Sequence, residues 1–160
     1  MYFLENNHLI IDEQAGFRKH RSTEDQITYI SQLIEDGFQN KRHSVAVWLD
    51  LEKAFEKVWT EGLILKLMKQ KISHNMLGWL RNYLKDRTAC VKLQGKRSQT
   101  GAIRNGVPQG GVLSPTLFLI FMNDVKEQIT KHVYPVGYAD DMALICTEES
   151  LSLIHISEPT

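Results

Sequence analysis

Val136-Gly137-Tyr138-Ala139-Asp140-Asp141-Met142-Ala143-Leu144-Ile145 is the stretch that decides the fold, because two adjacent carboxylates interrupt a strand-like apolar run. Burying paired acids costs free energy unless something neutralises them, and a metal cation is the usual partner. The stretch therefore indicates one half of a divalent-metal site. Taken alone, it is equally compatible with a β-turn that exposes both acids.

A second acid, at the end of another apolar run, supplies the other half. Val45-Ala46-Val47-Trp48-Leu49 is followed directly by Asp50. Two strands that end in acids and lie side by side would form a metal cage of three carboxylates, from Asp50, Asp140 and Asp141.

Composition limits the class of protein. The 160 residues suit one globular domain, and 19 basic residues balance 19 acidic ones. The chain as a whole therefore has no basic field, and any nucleic-acid surface must come from local clusters. Three basic clusters are present: residues 18–21, residues 41–43, and the set Lys85, Arg87, Lys92, Lys96, Arg97 and Arg104.

The cysteines and the apolar segments bear on the compartment. Cys90 and Cys146 have neither disulfide-framework nor zinc-ligand spacing, which indicates a reducing intracellular compartment and no disulfide-linked partner. We expect both to be buried. The longest apolar stretch, residues 117–122, is too short to span a bilayer, and the N-terminus does not resemble a signal peptide. No membrane partner is expected.

The apolar periodicity alternates between helices and strands. Ser22 or Thr23, followed by two acids, predicts a helix start. The remaining predicted elements are a helix to Phe38, a strand over 44–51, helices over 60–68 and 76–84, a basic hairpin over 88–104, a helix from 114 to 129, and a strand beginning near 135.

The last ten residues, 151–160, form a separate case. They can be back-translated codon by codon into a sequence that resembles a transposase adapter from sequencing libraries. We therefore expect them to be an artefact of library preparation and exclude them from reasoning about the fold.

In this order, the pieces resemble the reverse transcriptase domain of non-LTR, LINE-like or jockey-like retrotransposons. Five blocks carry the resemblance: residues 14–26, 49–59, 83–87, 106–118 and 138–141. It implies an α+β fold, a right-hand polymerase palm with part of the fingers, in which an antiparallel sheet carries the catalytic acids and packs on helices. Residues 1–43 would be partial fingers with the leading palm helix and 44–150 an incomplete palm, with the thumb absent.

The resemblance also implies the chemistry, which is two-metal transfer of a nucleotide to a primer 3′-hydroxyl. Asp50 and Asp140 would be the main ligands of two Mg²⁺ ions, and Asp141 the supporting acid. Mn²⁺ would be a substitute. Hard oxygen ligands of this kind suit Mg²⁺, which retains waters and takes few protein carboxylates.

Further residues take substrate-binding roles by the same resemblance. The partners would be an RNA template, a DNA primer and deoxynucleoside triphosphates, with action in the nucleus. Phe55 would lie under the sugar and exclude the 2′-hydroxyl, although an ordinary core phenylalanine is the alternative. The other expected contacts are the backbone at Leu51 with the triphosphate, Gln109 and Gly110 with the base pair being formed, Tyr138 with the primer or the core, and Arg18 and Arg21 with phosphates.

Three functions remain open from the sequence. The favoured one is a fragment of an RNA-directed DNA polymerase, with little activity on its own. A non-catalytic nucleic-acid-binding remnant of a decayed element is the second. An RNA-directed RNA polymerase is the third, and both Ala139 and Phe55 count against it, because those enzymes commonly place glycine before the acid pair and accept a 2′-hydroxyl.

Overall fold

A computed structural model describes residues 1–130 and 132–150. The chain divides into two compact units, one made of residues 1–52 together with the chain from residue 123 onward, and the other of residues 53–122. The predicted division at residue 43 stays a prediction, because the units do not identify fingers or palm. The adapter prediction for 151–160 lies outside the described residues.

In chain order the structure contains helices and short strands, joined mostly by brief loops. The helices are α1 (Tyr2–Asn6), α2 (Thr23–Gln39), α3 (Ala54–Lys57), α4 (Thr60–Lys69), α5 (His74–Leu84) and α6 (Ser114–Met122), with a 3₁₀ helix at Val125–Gln128. The strands are β1 (His43–Asp50), β2 (Arg87–Ala89), β3 (Lys92–Leu93), β4 (Lys96–Arg97), β5 (Gly101–Ile103), β6 (Val133–Tyr138) and β7 (Asp141–Glu148).

A three-stranded antiparallel sheet in the order β1-β7-β6 organises the first unit. Strands β6 and β7 form a hairpin whose loop is only Ala139 and Asp140, and β1 pairs along the whole of β7. Helix α2 packs on this sheet through Ile30 and Leu33. The predicted combination of helices with an antiparallel sheet that carries the acids is therefore confirmed.

Helix α2 begins where the sequence predicted. The Ser22 hydroxyl accepts a hydrogen bond from the Asp25 backbone N–H at 3.2 Å, and the Asp25 carboxylate accepts one from the Ser22 N–H at 2.7 Å. This capping box satisfies two backbone donors that the helix itself cannot satisfy.

The second unit is mainly helical, with a core formed by α4, α5 and α6. Its fully buried side chains include Leu63, Ile64, Leu67, Leu84, Phe118 and Leu119. The predicted basic hairpin is present, but it is split into two short ladders, β2 with β5 and β3 with β4. Within the described residues, no helix is both long and apolar enough to cross a membrane.

Two sequence expectations were wrong. The helix predicted to reach residue 129 ends at Met122. The side chain of the next residue, Asn123, accepts a hydrogen bond from the Ile11 N–H at 2.8 Å, and this tertiary contact holds the chain in a non-helical conformation there. Cys146 is buried as expected, but Cys90 is exposed, because it lies between the two ladders of a hairpin in which residues 88–105 are all exposed.

Candidate functional site

The ends of β1 and β7 bring two of the predicted acids together. Asp50 is the last residue of β1, Asp141 is the first of β7, and they are direct partners across the antiparallel ladder. Both side chains are exposed. Like charges at directly opposed positions destabilise an antiparallel pair, so a cation bound at this end of the sheet would relieve a repulsion.

The third acid, Asp140, occupies the hairpin loop and is partly buried. Within residues 1–130 and 132–150, no three His, Cys, Asp or Glu side chains are grouped closely enough to hold a metal, so the three-carboxylate cage is not formed here. Mg²⁺ commonly uses only one or two carboxylates, with waters and substrate phosphates completing its shell. The Asp50–Asp141 pair fits that requirement, and the assignment of individual ligands stays a prediction.

The loop that carries Asp140 has an uncommon backbone. Ala139 has φ of 59° and is only 8% exposed. The favoured two-residue hairpin loops have positive φ at this first position, where glycine, asparagine or aspartate is the usual residue. An alanine held there costs about 1 kcal/mol or more. The surrounding structure must therefore hold this conformation in place.

A groove of about 360 Å³ lies beside the acids in the first unit. Its lining includes Asp50 and Asp141 together with the apolar Ile27, Ile30 and Trp48, the last of which is 70% exposed. Apolar walls lower the local dielectric response, which strengthens the attraction between the carboxylates and a cation.

Two predicted substrate contacts lie next to the acids. Tyr138 is the β6 partner of Asp141 and is partly exposed, and Leu51 follows Asp50 directly in the chain. The first unit therefore places Asp50, Asp141, Tyr138 and Leu51 at one end of the sheet, with Asp140 in the adjoining hairpin loop. Their contacts with primer and triphosphate stay predictions.

Phe55 lies in α3 of the second unit. Its ring stacks on Phe118, with 4.8 Å between centroids and 13° between planes, and it is partly buried. This stacking agrees with the alternative of a packing role. It leaves a second role at the sugar untested, because a half-buried ring still presents an edge to solvent.

The loop with Gln109 and Gly110 is anchored at its start. Gly106 has φ of 88°, and a Cβ there would lie 2.6 Å from the Glu56 carbonyl oxygen, so only glycine fits. Its N–H donates to the Val58 carbonyl at 2.7 Å. Gln109 is exposed and donates to the Glu56 carboxylate at 3.3 Å, and Gly110, with φ of 75°, faces open space. The anchored loop thus presents an exposed amide and an open glycine.

Arg18 and Arg21 differ in availability. The Arg18 side chain is only 6% exposed, and its guanidinium makes two hydrogen bonds to the Glu5 carboxylate and one each to the carbonyls of Ile11 and Gln14. A phosphate contact by Arg18 would have to replace these internal partners. Arg21 is more exposed and pairs with Asp12 at 2.9 Å. The phosphate contacts of both arginines stay predictions.

The hairpin of the second unit is strongly basic. Residues 88–105 contain four basic residues and no acid, and all of them are exposed. Lys92 and Arg97 are direct cross-strand partners, a placement that costs stability unless an anion lies against it. This surface suits a polyanion such as a phosphodiester backbone.

Gln14 was not predicted to have a role, although its buried side chain contacts the Ala139 backbone. The two residues are 125 positions apart. No local pattern in one sequence reports such a contact. The only signal in the sequence was the position of this polar residue at the start of the segment 14–26, which resembles the reverse transcriptase family.

Comparison with known proteins identifies the group to which these features point. A family model described as reverse transcriptase (RNA-dependent DNA polymerase) matches residues 3–158. The "Probable RNA-directed DNA polymerase from transposon BS" of Drosophila melanogaster is 35% identical over 143 residues, which is 86% of this chain and 16% of that protein. The "RNA-directed DNA polymerase from mobile element jockey" of the same species is 33% identical over 144 residues, again 86% of this chain and 16% of that protein. The chain thus spans about a sixth of the length of these relatives.

Proposed function

Since the chain belongs to the reverse transcriptase (RNA-dependent DNA polymerase) family, we propose that it is the carboxylate-bearing part of an RNA-directed DNA polymerase of a non-LTR retrotransposon. It would help to add deoxynucleotides to a primer 3′-hydroxyl. The observation that carries the proposal is the opposed pair Asp50 and Asp141 at one end of the sheet. In this proposal the sheet and α2 belong to a polymerase palm with adjoining fingers.

The acids would hold divalent metal. Asp50 and Asp140 are proposed as the main ligands and Asp141 as the supporting acid. Bound Mg²⁺ would lower the pKa of the primer hydroxyl and stabilise charge on the leaving pyrophosphate. The exposure of Asp50 and Asp141 supports this role, because Mg²⁺ needs coordination positions open to water and phosphate.

Selection of the deoxynucleotide is proposed for the second unit. Phe55 would exclude the 2′-hydroxyl, and Gln109 and Gly110 would contact the base pair being formed. The open space at Gly110 supports close approach of a ligand to the backbone. Leu51 and Tyr138 would contact the triphosphate and the primer.

The partners are proposed to be an RNA template and a DNA primer. The exposed basic hairpin, free of acids over residues 88–105, supports a phosphodiester partner. Action in the nucleus is proposed on the family resemblance alone.

A metal titration tests the core of the proposal. Mn²⁺ binding to the purified chain, followed by EPR, should weaken in Asp50→Asn and in Asp140→Asn. Asp86→Asn is the matched control, because Asp86 is an exposed aspartate of the second unit. Equal Mn²⁺ affinity in all three variants and the native chain would overturn the metal site.

One observation favours a second candidate, a non-catalytic nucleic-acid-binding remnant. The basic hairpin belongs to a different unit from the acids, so its charge could bind nucleic acid without them. Binding of an RNA–DNA hybrid that is unchanged by Asp140→Asn, together with absent Mn²⁺ binding, would favour this candidate.

A further inference from the structure

A short segment before α2 pairs with the edge of β6. The Gly137 N–H donates to the Glu13 carbonyl at 2.8 Å, and the Ala15 N–H donates to the Gly137 carbonyl at 2.9 Å. The segment runs parallel to β6 at this point. This pairing places the side chain of Gln14 beside the loop that carries Asp140.

The Gln14 amide binds both backbone groups of Ala139. Its Nε2 donates to the Ala139 carbonyl at 2.9 Å, and its Oε1 accepts from the Ala139 N–H at 2.8 Å. Oε1 also accepts from the Gly16 N–H at 2.8 Å. Gln14 is only 5% exposed, so water cannot easily replace these bonds. A glutamine suits the position because one end of its amide donates and the other accepts.

Gly16 completes the contact by close approach. A Cβ at Gly16 would lie 2.1 Å from the Ala139 nitrogen and 2.6 Å from its Cα. Any other residue would push the two backbones apart. The loop backbone is therefore held by hydrogen bonds from Gln14 and by contact with Gly16.

A second layer holds this segment in place. Arg18 donates to the Gln14 carbonyl at 2.9 Å and to the Ile11 carbonyl at 2.8 Å. Its remaining bonds go to the Glu5 carboxylate, which fixes the guanidinium from the other side. The position of Gln14 is therefore fixed by Arg18 as well as by the pairing of its segment with β6.

We propose that Gln14 is a positioning residue, which holds Ala139 in its left-handed conformation and thereby sets where Asp140 stands beside the Asp50–Asp141 pair. The inference rests on the proposed metal function. It goes beyond that function, because Gln14 itself touches neither metal nor substrate. Its side chain acts only through the loop backbone.

The test uses the purified 160-residue chain, with Mn²⁺ affinity by EPR and amide hydrogen exchange at Ala139 and Asp140 by NMR. Gln14→Ala should accelerate exchange at Ala139 and weaken Mn²⁺ binding roughly tenfold, as loss of an outer support of a metal site does. Adding Ala139→Gly should restore most of the affinity, because glycine adopts positive φ without support. Ser44→Ala, a buried hydroxyl of the same unit without a hydrogen-bond partner among the described residues, is the control.

The outcomes separate positioning from simple stabilisation. A Gln14→Ala chain that binds Mn²⁺ as the native chain does would overturn the proposal, and so would a loss of affinity that Ala139→Gly fails to restore in a folded protein. If Asp50→Asn and Asp140→Asn both leave Mn²⁺ affinity unchanged, the metal function itself is wrong. Exchange then decides the Gln14 contact alone: faster exchange at Ala139 in Gln14→Ala supports it, and unchanged exchange overturns it.

Discussion

Asp50 and Asp141 are direct partners at the end of the β1–β7 ladder, so the sheet holds two exposed carboxylates at directly opposed positions. In the absence of metal the pair repels. The pairing of β1 with β7 therefore holds two negative charges together although their repulsion destabilises the fold.

Replacing one of these acids should separate stability from function. We expect Asp141→Asn to raise the free energy of unfolding in EDTA by a few tenths of a kcal/mol, because it removes the cross-strand repulsion. The same variant should gain less stabilisation from added Mn²⁺ than the native chain, because the supporting acid is removed. Urea unfolding with EDTA and with Mn²⁺ measures both effects. Lower stability than the native chain in EDTA would contradict this explanation.

Phe55→Ala should change sugar selection. In a complete polymerase that carries this segment, we expect increased incorporation of ribonucleotides relative to deoxynucleotides, measured by competitive primer extension. Because Phe55 stacks on Phe118, the substitution also removes packing. Phe118→Leu is the control, since it disturbs the same stack and leaves the ring of Phe55 in place. Equal sugar discrimination in both variants would remove the proposed role of Phe55.

The basic hairpin should contribute to nucleic-acid binding through charge. Lys92→Gln combined with Arg97→Gln should weaken binding of an RNA–DNA hybrid and lower the slope of log K against log salt by about 1.5 to 2. Lys69→Gln with Lys71→Gln removes the same charge from exposed lysines elsewhere in the second unit. Fluorescence anisotropy over a salt series measures the slope. Similar slopes for the two double variants would show that the hairpin has no special role.

Acid should weaken the support of the Gln14 segment. The hydrogen bond from Arg18 lowers the pKa of Glu5 below its usual value of 4.5. The folded chain therefore holds the Glu5 proton less tightly than the unfolded chain, and the stabilisation is complete above about pH 4.5 and is lost as pH falls through the folded pKa. Glu5→Gln should cost about 1–3 kcal/mol at pH 7 and flatten the loss of stability below pH 4.5. Urea unfolding from pH 3 to 7 is the measurement, and parallel curves for the two proteins would contradict this.

The chain alone should extend primers poorly. It spans 16% of the length of the jockey and BS relatives, so most of the surface that grips primer and template in such a protein would come from elsewhere. We expect little extension of an RNA-templated DNA primer with Mg²⁺ or Mn²⁺. Robust extension by the purified chain, lost in Asp140→Asn, would refute this prediction.

Local chemistry made part of this structure predictable. The Ser22 capping box and the acid-ended strands follow from neighbouring residues, because caps and alternating apolar patterns act over a few positions. The Gln14 contact with Ala139 could not be predicted, since it depends on tertiary pairing between distant segments. The early end of α6 and the exposure of Cys90 were missed for the same reason. Asn123 bonds to a remote backbone group, and a hairpin's accessibility depends on what packs against it.

The full pairing of β1 with β7 has a consequence for copies of the element in a genome. Because side chains alternate along a strand, an in-frame loss of one codon between those for His43 and Asp50 would shift one part of the ladder relative to the other. Such a copy could keep all three aspartate codons and still lose the opposition of Asp50 and Asp141. A reading frame that encodes all three aspartates is therefore not enough for a functional copy of the element. The number of residues in β1, from the turn before it to Asp50, must be intact as well.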